Sequence, residues 1–233
     1  LKALKQANYQ KQRAGGFQNF MNKLMLSSIP SENRGDTLSV FGVLDIGTQY
    51  ILDDTTLTSS EMETALQISD MYSEMGSYHE SIKILGFLDS IYRSDPEKFN
   101  QHHQDHIYVS MANIFDMQND IPRSDSILDL LLTEKRLAGM SDSIRVSALI
   151  NRAKNLSYYH GKYEKADSIL SQLESSNMIR QFADAHKAQG EVLYIHAMND
   201  YYLSDFKSAR DRMEKAISLY EKSPAKRQRT LLS

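Results

Sequence analysis

Four short stretches of this chain repeat one pattern at a nearly fixed distance, and that spacing limits the available folds more than any other feature. The pattern is a small or polar residue, an aromatic or branched residue two places on, and a small residue three places after that. It reads Gly76-Ser77-Tyr78 leading to Ser81, then Leu85 and Leu88. Asn119-Asp120-Ile121 leads to Ser124, then Leu128 and Leu131. Gly161-Lys162-Tyr163 leads to Ala166, then Leu170 and Leu173. Ser204-Asp205-Phe206 leads to Ala209, then Met213 and Ala216. The first residues of the four are 43, 42 and 43 positions apart. A recurrence of this length marks a repeat architecture, in which each unit buries its apolar face only against the next.

Each stretch reads as the turn between two helices. Gly76 and Gly161 allow the chain to leave a helix through a positive φ without a steric penalty. After each turn, apolar or small residues recur at three- and four-residue steps, as in Tyr163, Ala166, Ile169, Leu170 and Leu173, which is one buried stripe of a helix. Ser81, Ser124, Ala166 and Ala209 then fall where helix backbones approach closely, with Tyr78, Tyr163 and Phe206 filling the gap beside them. Thr58-x-x-Glu61 and Ser77-x-x-Glu80 have the form of capping boxes. Pro122 and Pro224 suit first-turn positions, and Asp95-Pro96-Glu97 separates two units. No sustained alternation points to a sheet.

The expected fold is therefore all-α, about five antiparallel helix pairs in a single domain over residues 1–233. Residues 1–58 form a degenerate first repeat placed on Gly35, with Lys2 to Leu26 as a leading helix interrupted at Gly15-Gly16. Residues 59–222 hold four clearer repeats, and 223–233 begin a further helix.

Gly161-x-Tyr163-x-x-Ala166-x-x-x-Leu170-x-x-Leu173 resembles the second half of a tetratricopeptide repeat, and Gly76-x-Tyr78 and Phe206-x-x-Ala209 match it in part. The resemblance implies a right-handed α-solenoid with a concave groove lined by the leading helices. The family's usual repeat is about 34 residues, so spacings of 42 and 43 imply helices longer by about a turn each. Long-helix arrays of this kind resemble the sensor regions attached to some bacterial histidine kinases and LuxR-type regulators. That likeness implies a periplasmic location, with the cytoplasm as the alternative, and a place in a longer signalling protein that bears on transcription regulation.

In that register the groove holds Asn113 and Asp116, then Asn151, Asn155 and Tyr158, then Tyr194, Met198 and Tyr201. Amides and phenols on a concave wall can hydrogen-bond the backbone of an extended peptide, and tyrosines add contact area at low entropic cost. The family's clamp for a peptide carboxylate needs Lys or Arg here. Val109, Asn151, Tyr194 and Met198 occupy the comparable places, which disfavours capture of chaperone tails. The partner expected is a protein or peptide, with homodimerisation through the tyrosine-rich last hairpin as the alternative.

Other chemistries find less support. The net charge is −3 with acids and bases mixed, unlike the one-sided basic excess of a nucleic-acid binder. The chain has no Cys, so it offers no thiolate site. No apolar run approaches the roughly 18 residues of a membrane span. The chain opens on Leu rather than Met, so it reads as a fragment or processed form with any targeting segment outside it.

His102 and His106 stand one turn apart, a spacing that can hold Zn²⁺, but no third ligand follows, so they are read with His103 as a solvated cluster and no metal or cofactor is expected. Val43-Leu44-Asp45-Ile46-Gly47-Thr48 resembles a phosphate motif of actin-type ATPases, yet the helical context favours a helix of the first pair. Asp53-Asp54 reads as a helix end, and the nucleophile elbow of hydrolases is absent, so no catalytic residue is assigned and no enzymatic activity is expected. Lys222, Lys226, Arg227 and Arg229 form a basic end.

Overall fold

The computed structural model describes residues 40–53, 56–181 and 185–223, and all regular structure among them is helical. The expected leading helix Lys2 to Leu26, Gly15-Gly16, Gly35, Asp54, Pro224 and the basic residues from Lys226 onward lie outside the described residues. The chain divides into two compact units, one up to Ile114 and one from Phe115.

The first unit holds α1 (Val40–Asp53), α2 (Ser59–Glu74), α3 (Tyr78–Ser94) and the part of α4 (Gln101–Met117) that ends at Ile114. The segment Val43–Thr48 lies inside α1, as its helical reading expected. Thr58 and Glu61 form a reciprocal capping box, with Glu61 N–H donating to Thr58 Oγ1 (3.2 Å) and Thr58 N–H donating to Glu61 Oε2 (2.9 Å). Ser77 stands at the N-cap of α3, but its side chain makes no cap bond. The capping box expected at Ser77 is therefore not formed.

Ser69 and Ser81 are fully buried with hydroxyl oxygens 2.8 Å apart, and Ser81 Oγ also donates to the Ser69 carbonyl at 2.8 Å. Position 81 is therefore a close approach between α2 and α3. Tyr72 ties α2 to α1 by donating to Asp45 (2.7 Å) and accepting from Thr48 (3.3 Å). Burial pushes its phenol up to about 12.

The second unit holds α5 (Ile121–Leu131), the one-turn α6 (Glu134–Leu137), α7 (Asp142–Lys154), α8 (Tyr163–Ser175), α9 (Ala185–Tyr202) and α10 (Phe206–Lys222). A π-turn (Asn155–Tyr159) extends α7, and a 3₁₀ turn (Met178–Gln181) follows α8. The core gathers Val146, Ile150 and Ala153 of α7, Ala166, Leu170 and Leu173 of α8, and Val192 and Ile195 of α9.

The four expected turns share one backbone geometry. Gly76, Asn119, Gly161 and Ser204 are the positive-φ residues of the described chain, at 79°, 60°, 60° and 66°. After three of them an N–H reaches back five residues: Ser77 to the Tyr72 carbonyl (2.9 Å), Asp120 to Phe115 (2.7 Å) and Asp205 to Asp200 (2.9 Å). This closing bond is the signature of a Schellman end. At Gly161 the corresponding bond, Lys162 to Leu156 (2.7 Å), spans six residues because the π-turn inserts one.

The small and apolar positions after the turns are buried as expected. Ser81, Ser124, Ala166, Leu85, Leu88, Leu128, Leu131, Leu170 and Leu173 are all inaccessible to solvent. Ala209 is half-buried, and Phe206 departs from its expected role as a wedge, being 61% exposed and edge-on to Tyr201.

Candidate functional site

The second unit presents an aromatic face built by the π-turn, α9 and α10. Tyr158 and Tyr159 come from the π-turn, Tyr194, Tyr201 and Tyr202 from α9, and Phe206 from the start of α10; all are exposed. Tyr163 stacks on Tyr202, with ring centroids 5.2 Å apart and planes 17° from parallel. Tyr201 meets Tyr202 and Phe206 edge-to-face at 5.9 and 5.6 Å. Both are favoured geometries for aromatic pairs.

Tyr158 is also one of a group with Tyr194, Tyr202, Tyr220 and Glu191. Its phenol is held well above the usual tyrosine range, first by burial and then by these neighbours. The ring lies in a sheltered place even though more than a third of the residue meets solvent. Tyr220 of α10 belongs to the same group, and burial followed by Glu191 and Tyr194 pushes it up to about 12. Gly190 makes this possible: a Cβ there would lie 3.0 Å from the Tyr220 ring. Lys154 Nζ sits 2.7 Å from Glu191 Oε1, linking α7 to α9 at this face.

The expected groove residues thus separate into two kinds. Tyr158, Tyr194 and Tyr201 are exposed, Met198 is half-buried, and Tyr158 and Tyr194 lie near each other. Asn151 and Asn155 are 3% and 0% exposed and lie inside the unit. Asn155 Nδ2 donates to Ser124 Oγ (3.2 Å) and to Asp125 Oδ1 (3.0 Å). Asp125 also takes Arg152 (3.0 Å) and His160 (2.6 Å), so these side chains tie α7 and its π-turn back to α5. Asp116 joins Asn155 and Ser124; burial raises its carboxyl pKa, against the opposing pull of Lys154 and these hydrogen bonds. Asn113 lies in the first unit and is half-buried and partnered.

The histidines of α4 do not form the solvated cluster expected. His103 is buried, with Nε2 3.2 Å from Glu63 Oε1 in an arrangement that lacks hydrogen-bond alignment. His106 turns to Asp70 (3.2 Å), and the rings of His102 and His106 are 6.4 Å apart. The α4 face packs against acidic residues of α2, so the histidines are drawn to separate carboxylates.

A second charged group was not legible in the sequence. His196 of α9 is fully buried and hydrogen-bonded on both ring nitrogens, to Glu174 through Nδ1 and to Asp167 through Nε2 (2.7 Å). Arg212 of α10 pairs with Asp200 and lies 3.4 Å from Glu174. Burial opposes a charged His196, but the bonds to Glu174 and Asp167 outweigh it and raise its pKa. Burial likewise acts to raise Glu174, and His196, Arg212 and Lys215 reverse it, so its carboxyl is lowered. The donor atoms of Asp167, His196 and Asp200 lie within 4.8 Å of one another. The imidazolium and Arg212 already supply the positive charge this carboxylate group needs, and a cation would have to displace them.

Only one signal pointed this way. Asp167 and Glu174 are seven residues apart and so share a face of α8, but nothing local says that His196 will meet them. Tyr220 was missed for a similar reason, because its partner Gly190 lies 30 positions earlier on another helix.

Compared with protein-family models, curated proteins and solved structures, the chain matches none.

Proposed function

We propose that this chain is a non-enzymatic binding scaffold, a right-handed α-solenoid of antiparallel helix pairs that takes a protein or peptide partner. The observation that carries this reading is the exposed tyrosine face of the second unit, where Tyr158 and Tyr194 lie close together and Tyr201 and Tyr202 extend the surface. Rigid aromatic rings with polar tips are enriched among the residues that dominate binding energy at protein interfaces. The repeat turns and the resemblance they carry support an array whose curvature or self-association responds to the bound partner.

By that resemblance, the chain is the sensing part of a longer bacterial signalling protein in the periplasm. A membrane helix followed by a kinase or DNA-binding domain in the flanking sequence would support this placement. A flanking sequence with neither would refute it.

The binding reading is tested by panning a displayed peptide library against the chain and measuring the selected peptides by calorimetry. Changing Tyr158→Ala together with Tyr194→Ala should weaken them at least about tenfold, as expected for residues central to an interface. Peptides that bind both proteins equally would remove the tyrosine face from the site.

A second reading has its own observation. Tyr201, Tyr202, Leu203 and Phe206 are 41–56% and 61% exposed around a single turn, an apolar surface suited to a homodimer. Light scattering across a concentration series separates the two, since a chain that stays monomeric at high concentration does not dimerise there.

A further inference from the structure

We propose that the tyrosine face takes a proline-rich segment in the polyproline II conformation, an inference that rests on the reading of this face as a peptide-binding surface. The spacing of its rings selects that conformation. Tyr194, Met198 and Tyr201 share one face of α9, because steps of four and three residues return to the same side of a helix. Tyr194 and Tyr201 are exposed and seven residues apart, which is about 10.5 Å along the axis. One turn of polyproline II is three residues and about 9.3 Å, so prolines three positions apart meet both rings within the swing of a side chain. An extended strand returns to one side at about 6.8 and 13.6 Å, which straddle the ring spacing.

A helical partner matches the same interval, but its backbone groups are spent on its own hydrogen bonds. No described residue accepts the phenol O–H of Tyr194 or Tyr201, so both donors are open at the surface. Polyproline II has no internal hydrogen bonds, and its carbonyls can accept from both phenols. The rings are also braced before a ligand arrives. Tyr201 meets Phe206 at 67° and Tyr202 at 75°, and edge-to-face rings leave notches that suit a flat pyrrolidine. Tyr158, on the π-turn, neighbours both Tyr194 and Tyr202 and continues the aromatic surface between them. Ligand and surface are thus both ordered in advance, which lowers the entropy lost on binding. Glu191 is paired with Lys154 and Asp200 with Arg212, so these α9 charges are neutralised and the face favours an uncharged ligand. Docking of proline-rich segments on aromatic surfaces is a recurrent mode of peptide recognition.

The probe is nonaproline, acetylated and amidated so that it carries no charge, titrated calorimetrically into the 233-residue chain. The control is a glycine–serine peptide of the same length with the same blocked ends, uncharged and flexible. Nonaproline should bind at least about tenfold more tightly than the control. Tyr194→Ala and Tyr201→Ala should each weaken it at least about fivefold, with folding checked by circular dichroism. Tyr194→Phe together with Tyr201→Phe keeps the rings and removes the donors, and should weaken it about threefold or more. Nonaproline that binds no better than the control, or binding that survives the alanine variants or the phenylalanine pair, would overturn the proposal. Peptides selected from the displayed library separate this outcome from the broader one. If they bind and depend on Tyr158 and Tyr194 while nonaproline does not bind, the face serves another class of peptide and only this proposal falls. If neither binds, the partner-binding reading falls with it.

Discussion

Gly161 and Ser204 occupy equivalent turns with nearly the same φ, 60° and 66°, but one is glycine and the other is not. Reciprocal substitutions should therefore change stability in opposite directions. At Gly161 a Cβ would meet no atom within 4 Å, so Gly161→Ala introduces backbone strain without a packing clash. The left-handed conformation costs an L-residue about 1–2 kcal/mol. Restricting the unfolded chain returns about 0.4–1 kcal/mol. The net loss is therefore between about 0 and 1.6 kcal/mol, with a middle value of about 0.8 kcal/mol. Ser204→Gly removes the same strain and incurs the same entropy, so it should gain a similar amount, about 0.8 kcal/mol at the middle of the range. Both sites lie in the second unit, so one urea titration followed by circular dichroism can read both. With a urea slope of about 1–3 kcal/mol/M, the middle values should move the two midpoints apart by roughly 0.5–1.6 M. Two variants that shift the same way, or a Ser204→Gly that destabilises, would refute the account of the turns.

Two further outcomes follow from the packing and the buried charges. Ala166 is fully buried in the core of the second unit, so Ala166→Leu should overpack it and cost about 1–3 kcal/mol in denaturant unfolding; a loss below a few tenths would count against a close approach at that position. His196 has a raised folded pKa, so its contribution is fully present below its unfolded value of about 6.5 and fades as pH rises through the folded value. Glu174 is lowered, so its contribution is present above about 4.3 and fades as pH falls through its folded value. The stability gap between the parent chain and His196→Gln should therefore be widest at roughly pH 5–6.5 and narrow toward alkaline pH, as thermal melts across that range would show; a gap that widens with pH would contradict the assignment.

The buried network around His196 and the tyrosine face illustrate two different limits on sequence reading. Tyr158 and Tyr194 could be placed on leading helices by counting back from the turns, and both are exposed. The same count put Asn151 and Asn155 beside them, yet both side chains are buried, because Ser124 and Asp125 offer Asn155 partners inside the unit. Counting identifies a helix face only approximately. The neighbouring helix decides which edge of that face is covered. The spacing before Gly161 is 42, one residue shorter than the other two although the π-turn adds a residue, so nothing in the spacing indicated the π-turn.

The sequence by itself determined where the helices end. A positive-φ turn, a Schellman closure and a stripe of small and apolar residues are set within about ten neighbouring positions, so Gly76, Asn119, Gly161 and Ser204 could be found from their local pattern alone. Only the tertiary structure decided which polar groups are satisfied and which remain open. His196 finds Asp167 and Glu174 at separations of 29 and 22 residues, Gly190 makes room for Tyr220, and Arg145 keeps a buried N–H without an acceptor. Each depends on how one helix packs on another, because hydrogen bonding and desolvation are fixed by side chains that meet in space rather than along the chain.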